Sequence, residues 1–152
     1  MLPPYVLIYM QRLKKRPQFQ AVLAGTTIAK TEHFALHCNN LDATGPQKLP
    51  GKPTGTLPAI PLFPLQDVWI GAMVPKRWAK LAVTRNTIKR QIYSVSADFL
   101  HDYPQAAFLV RLRREFSRKV FLSATSEQLK ETVRSEMLTL MRAGATTKSC
   151  RA

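Results

Sequence analysis

The order of helix and strand patterns in this sequence predicts an α+β protein built as a small two-layer sandwich. Three observations predict it. A short amphipathic segment precedes two stretches that alternate like strands, a longer amphipathic segment follows, and a further strand and a last helix complete the pattern. A chain of 152 residues is long enough to bury the core of one domain. The predicted order is therefore helix, strands, helix, strand, helix.

The first helix is predicted at residues 17–25, because Pro17 suits a first helical turn and Gly25 suits a helix end. Two strands are predicted at residues 33–38 and 68–74, where apolar side chains recur at every second residue. Each of these strands should therefore turn one apolar face towards a core.

The second helix is predicted around residues 82–93, AVTRNTIKRQIY. Helical spacing gives it an apolar stripe, predicted to be buried, made of Leu81, Ile88, Ile92, Val95 and Phe99. The adjacent face is basic, has no acid, and consists of Arg85, Asn86, Lys89 and Arg90. Like charges four residues apart destabilise an isolated helix by about a few tenths of a kcal/mol. Phosphate groups lying across this face would offset that cost, so the face is predicted to bind phosphates.

The end of the chain predicts one more strand and one more helix. The strand is predicted at residues 106–114, where apolar positions again alternate. The helix is predicted to open at Thr125 and Gln128, which have capping-box spacing, and to end near Gly144.

Residues 41–66 hold six of the eleven prolines and predict a long flexible connection inserted between two strands. A proline-rich ligand for a partner protein is the alternative interpretation. The predicted organisation is an N-terminal extension at 1–11, one domain at 12–144 and a tail at 145–152. Met10 is an alternative start of translation.

The charge balance points to a polyanionic partner. Lys and Arg number 23 against 9 Asp and Glu, a formal net charge of +14. Such an excess repels itself in the folded chain, and a polyanion would relieve the repulsion. The basic residues concentrate in blocks at 12–16, 76–90 and 111–119. Nucleic acid is the first candidate partner and an anionic membrane surface is the second. Membrane binding is disfavoured because the sequence shows no long basic amphipathic helix with a broad aromatic face.

A self-sufficient metal nuclease is disfavoured because it needs clustered carboxylates. Asp67 is the only acid between Ala43 and Ala97. His33 and His37 have the spacing of a helical zinc pair, but along a strand their Cα atoms would lie about 13 Å apart. No metal site and no catalytic side chain are therefore predicted.

The location is predicted to be cytoplasmic. Cys38 and Cys150 make a poor disulfide framework, which favours a reducing compartment, and Cys38 is predicted to be a small core residue. The apolar run at residues 5–10 follows no basic residue and has no small-residue cleavage site, so a signal peptide is not expected.

The segment AVTRNTIKRQI resembles the Arg-Asn-Arg-x-Lys-Arg motif of the protein subunit of bacterial ribonuclease P. RLKKRPQFQAVLAGT resembles the first helix of that family, HFALHC its early strand and AAFLVRLRR its last strand. IGAMVPKRWAKLAVTRNTIKR resembles its strand, basic turn and helix. Three positions depart from the family: Thr87 replaces the second arginine of the motif, Tyr93 replaces a basic residue one turn on, and Ala79 lies near the position of the family's glycine.

The resemblance implies a ribonucleoprotein that removes the 5′ leader from precursor transfer RNA. In that family the RNA subunit is the catalyst, with Mg²⁺ held mainly by RNA, and one protein binds one RNA. The protein binds the catalytic RNA through its motif helix and the leader in a cleft between its first helix and its sheet. The fold implied is a split β-α-β sandwich with a left-handed crossover, whereas general rules predict a right-handed one.

The predicted RNA-binding residues are Arg85, Asn86, Lys89, Arg90, Lys76, Arg77, Arg12, Lys15, Phe19, His37, Arg111 and Arg113. For Phe19 the alternative is ordinary core packing, and for His37 it is an exposed position on a strand. The alternative function is a basic RNA-binding protein without a part in catalysis, such as a ribosomal protein or an RNA chaperone.

Overall fold

The computed structural model describes residues 10–42, 44–45, 60–116 and 127–146. These residues form the following elements: β1 (Met10–Arg12), α1 (Arg16–Leu23), β2 (Thr26–Lys30), β3 (Phe34–Asn39), β4 (Thr44–Gly45), β5 (Ile60–Pro61), β6 (Val68–Met73), α2 (Ala82–Asp98), β7 (Ala107–Leu112) and α3 (Glu127–Thr146). A short 3-10 turn, Leu100–Asp102, follows α2. The α+β class predicted from the sequence is confirmed.

Five strands form one sheet in the order β1-β6-β7-β3-β2. β6 pairs parallel with both β1 and β7, whereas β3 pairs antiparallel with both β7 and β2. Because β6 and β7 are adjacent and parallel, α2 is the crossover between them, and the three elements form a β-α-β unit. The left hand of this crossover stays a prediction.

Alternation along the strands divides the core into two parts. On one face Phe34, Ile70 and Phe108 pack against the buried side of α2 and α3. On the other face Trp69 and Leu109 belong to a smaller cluster together with α1 and the chain around it. The sheet therefore has helices on both faces, and α1 covers only part of its face.

The turn that joins β1 to α1 is fixed to the sheet by Leu13, which is 4% exposed. Leu13 rests directly on β6 at Gly71, where an added Cβ would lie 2.5 Å from its Cδ1 atom. The Leu13 amide also donates a hydrogen bond to the Ile70 carbonyl oxygen at 3.0 Å. A side chain at position 71 would lift this turn away from the sheet.

Two of the predictions about where elements begin are wrong. Met10 and Gln11 pair with β6, so the end of the extension predicted at residue 11 falls inside the sheet. Leu81 is not in the buried stripe of α2, because it precedes the helix and is 55% exposed. The last helix ends at Thr146, two residues from the predicted end near Gly144, and its predicted start at Thr125 lies outside the described residues.

The proline-rich segment is not a free connection at its two ends. Leu41 is 8% exposed and Phe63 is 2% exposed, and both belong to the cluster beneath α1. The Phe63 ring meets the edge of the Trp69 ring, with centroids 5.4 Å apart. The interpretation of residues 41–66 as a flexible loop is therefore wrong where its ends meet the core.

Cys38 is 1% exposed, as predicted for a core residue. No helix in the described part of the chain is long and apolar enough to cross a membrane.

Candidate nucleic-acid interface

A groove of about 580 Å³ lies between α2 and β1, and we call it the α2–β1 groove. Its lining residues are Met10, Arg12, Asn86, Lys89, Arg90, Tyr93, Ser94 and Ala97. Those from the helix recur at intervals of three or four residues and share one side of α2. Three predicted residues of the motif therefore come together, joined by the predicted Arg12 from β1. None of the described lining residues carries a carboxylate, so the groove suits an anion.

Arg12 is held in this groove by Tyr93. Its guanidinium carbon lies 4.1 Å from the centroid of the Tyr93 ring, a cation–π contact. The Tyr93 hydroxyl accepts a hydrogen bond from the Ala72 amide at 3.3 Å, which ties the ring to β6. Tyr93 itself has no charge, but it places a cation from another part of the chain beside the helix face.

Arg85 has a different environment from its neighbours in the motif. Its Nη1 atom donates to the carbonyl oxygens of Ala79 at 3.0 Å and Lys80 at 2.9 Å, so the side chain braces the turn before α2. Thr87 is 8% exposed and its hydroxyl donates to the Val83 carbonyl oxygen. Thr87 therefore does not contribute to the groove surface, and RNA contact by Arg85 stays a prediction.

Lys76 and Arg77 are exposed in the turn between β6 and α2 and lie outside the lining of the α2–β1 groove. The guanidinium carbon of Arg77 lies 5.3 Å from the centroid of the Trp78 ring. The two cations continue the positive charge beyond the N-terminal end of α2, and RNA contact by them stays a prediction.

A second polar cluster lies on the sheet face that α1 leaves partly open. His37 is 7% exposed; Arg111 donates from Nε to its Nε2 atom at 3.2 Å, and Thr27 lies 3.1 Å from its Nδ1 atom. Because Nε2 accepts, the neutral ring carries its proton on Nδ1 and donates to the Thr27 hydroxyl. The prediction that His37 points away from the main core is confirmed, but the alternative of an exposed histidine is wrong.

Burial and then the positive charges of Arg111 and Lys30 lower the pKa of His37 from its ordinary value of 6.5. Since the folded pKa lies below the unfolded one, the stability given by neutral His37 is complete above pH 6.5 and is lost as the pH falls. We expect the NMR titration midpoint of His37 to lie below 6.5 and to rise in Arg111→Gln. A midpoint unmoved by that substitution would contradict the contact.

The other predicted residues lie around α1 and at the end of β7. Phe19 is half-buried against the cluster beneath α1, so core packing accounts for much of its surface. Lys15 is exposed at the start of α1. Arg113 donates from Nε to the Thr31 carbonyl oxygen at 3.0 Å. These residues are separate from the α2–β1 groove.

Two features of the interface were missed in the sequence. Lys30 faces the same side of the sheet as His37, because β2 pairs with β3 through a bulge after Thr27 that resets the alternation. The approach of Arg12 to Tyr93 depends on the pairing of β1 with β6, across more than fifty residues. The basic block RLKKR predicted that Arg12 would be part of a cationic surface, but it did not predict the contact with Tyr93.

The comparisons with known proteins agree with this architecture. The profile of the Ribonuclease P family matches residues 9–141. The ribonuclease P protein component of Burkholderia mallei (strain SAVP1) is 28% identical over 118 residues, covering 78% of this chain and 70% of that protein. The ribonuclease P protein component of Burkholderia pseudomallei (strain 668) gives the same values.

Solved structures of two ribonuclease P proteins share the fold. The structure from Staphylococcus aureus at 2.0 Å superposes with a TM-score of 0.56 at 18% identity, covering 91% of this chain and 97% of that one. The structure from Thermotoga maritima has a TM-score of 0.53 at 18% identity, covering 87% and 96%.

Fold and surface together define a small basic α+β protein with a cationic groove along its crossover helix. The chain belongs to the Ribonuclease P family, because the family profile covers most of its length. Membership connects it with an enzyme of tRNA processing and with an RNA partner.

Proposed function

We propose that this chain is the protein subunit of a ribonuclease P, which binds the catalytic RNA and the 5′ leader of precursor transfer RNA. It assists removal of the leader to give the mature 5′ end, in a complex of one protein with one RNA. The proposed place of action is the cytoplasm. The observation that carries the proposal is the α2–β1 groove, where Asn86, Lys89 and Arg90 line one surface with Arg12.

The two faces of the sheet support a division between two RNA ligands. The α2–β1 groove is lined by cations and an amide, which suits the phosphates of a structured RNA. The partly open face beside α1 carries Lys30, His37 and Arg111, with half-buried Phe19 nearby on the helix. Cations next to an aromatic surface suit an unpaired strand, which is the chemistry of the leader.

The catalytic metal ion is proposed to be held by RNA. The described residues contain no cluster of three His, Cys, Asp or Glu side chains that could bind a metal ion. The cations of the groove also repel Mg²⁺ until phosphates neutralise them. The proposed role of these cationic side chains is to reduce repulsion between two RNA molecules.

Sequencing the RNA that stays bound to the purified chain tests the proposal. We expect one structured RNA, enriched over its share of total RNA, and it should be the catalytic RNA of ribonuclease P. A Lys89→Glu variant purified in parallel should lose it. Recovery of ribosomal RNA in proportion to its abundance would contradict the proposal and favour a general RNA-binding protein.

A further inference from the structure

A second pocket, of about 500 Å³, opens between the β1–α1 turn and the chain that leads from β5 to β6, and we call it the α1 pocket. Its cationic side carries Arg12, Lys14 and Lys15, and its apolar side is formed largely by Leu62, Pro64 and Trp69. The volume lies in the range of small-ligand pockets. The α1 pocket belongs neither to the α2–β1 groove nor to the open sheet face around His37.

The walls of the α1 pocket are joined by hydrogen bonds. The Gln18 side chain is 6% exposed; its Oε1 atom accepts from the amides of Lys14 at 2.8 Å and Lys15 at 3.0 Å. Its Nε2 atom donates to the Leu62 carbonyl oxygen at 2.8 Å. Trp69 donates from Nε1 to the Leu65 carbonyl oxygen at 3.0 Å. These bonds fix the end of the proline-rich segment against α1, so the pocket is preformed.

The chemistry of the α1 pocket suits one nucleotide. A base has two apolar faces and polar edges, and a wall of proline, leucine and tryptophan side chains can cover such a face. The ammonium groups of Lys14 and Lys15 at the opposite side suit its phosphate. A base inside a duplex has both faces stacked already, so only an unpaired nucleotide can enter. The Asp67 carboxylate nearby accepts a hydrogen bond from Gln11 at 3.1 Å.

Arg12 connects the α1 pocket to the α2–β1 groove, because it lines both. A strand whose phosphates lie along Lys89 and Arg90 reaches the α1 pocket at this shared side chain. We propose that the α1 pocket binds an unpaired nucleotide of the RNA that occupies the α2–β1 groove. This inference rests on the proposed function and deepens it: the end of the proline-rich segment makes a binding site.

The test compares Leu62→Glu with Leu65→Glu in the full chain. Each variant adds one carboxylate, and the two positions are only three residues apart in the sequence. Leu65 differs from Leu62 because it is 50% exposed and does not line the α1 pocket. The probes are a fluorescein-labelled single-stranded RNA of twelve nucleotides and a blunt duplex of the same length, measured by anisotropy. We expect Leu62→Glu to weaken single-strand binding by about tenfold and duplex binding by less than about twofold. Leu65→Glu should change neither by more than about twofold.

A second variant keeps the proposal testable if Leu62→Glu does not fold. Lys14 is exposed, and Lys14→Glu should show the same preference for impairing single-strand binding. A single-stranded probe with 4-thiouridine should also crosslink to residues 61–69 of the unsubstituted chain. Equal losses in Leu62→Glu and Leu65→Glu, or equal losses for both probes, would overturn the α1 pocket. If Lys89→Glu still weakened binding, the proposed function would stand without the pocket; if it did not, both would fail.

Discussion

Reversing two charges in the α2–β1 groove, with Lys89→Glu and Arg90→Glu together, is expected to weaken binding of the catalytic RNA by about two orders of magnitude near 0.1 M salt. With each cation removed, RNA binding releases one fewer counterion from the phosphates, and each new carboxylate repels a phosphate. The slope of log affinity against log salt should therefore fall by about two units. Filter binding between 0.05 and 0.4 M salt, as an order-of-magnitude range, measures both quantities.

The matched control for this pair is Lys130→Glu with Arg142→Glu on α3. It makes the same change in net charge, but neither residue lines the α2–β1 groove. We expect the control to lose less than about fivefold in affinity, through the general field of the protein alone. Equal losses for the two pairs would show that RNA senses net charge and not this groove.

Phe63→Ala is expected to lower the free energy of unfolding by about 3 kcal/mol. The ring is 2% exposed and packs on Trp69 beneath α1, so its removal leaves a cavity that the neighbouring prolines fill poorly. Urea unfolding followed by Trp fluorescence measures the change. Leu65→Ala is the control, because that side chain is 50% exposed and should cost less than about 0.5 kcal/mol.

If residues 41–66 were a flexible connection throughout, exchanging residues 45–64 for a short Gly-Ser linker would not lower the free energy of unfolding. An exchange that keeps Leu62 and Phe63 should be tolerated, since closure entropy changes slowly with loop length. An exchange that removes them should destabilise as Phe63→Ala does. Equal stability of the two exchanged chains would contradict the packing seen here.

Local patterns predicted the elements that are long and strongly periodic. The spacing of Ile88, Ile92 and Val95 gave the buried side of α2, and all three are fully buried. The same spacing misplaced Leu81, because the angle around a helix axis says nothing about where the helix begins. Extended backbone at Leu81 puts its side chain outside the stripe.

Local sequence patterns could not predict which strands pair across long stretches of the chain. β1 has only three residues, and nothing in Met10 or Gln11 indicates a strand until Val68 lies beside it. The cation–π contact between Arg12 and Tyr93 follows from that pairing. The basic face of α2 could therefore be predicted from the sequence, but the groove that it forms with β1 could not.

Cleavage of precursor transfer RNA tests the central claim most directly. The rigorously RNA-free chain, with abundant Mg²⁺, is expected to leave the substrate intact. A bacterial ribonuclease P RNA at low Mg²⁺, where it is slow alone, should release the 5′ leader at least about tenfold faster when the chain is added. Cleavage by the RNA-free chain, or no effect of the chain on the RNA at any Mg²⁺ concentration, would contradict the account.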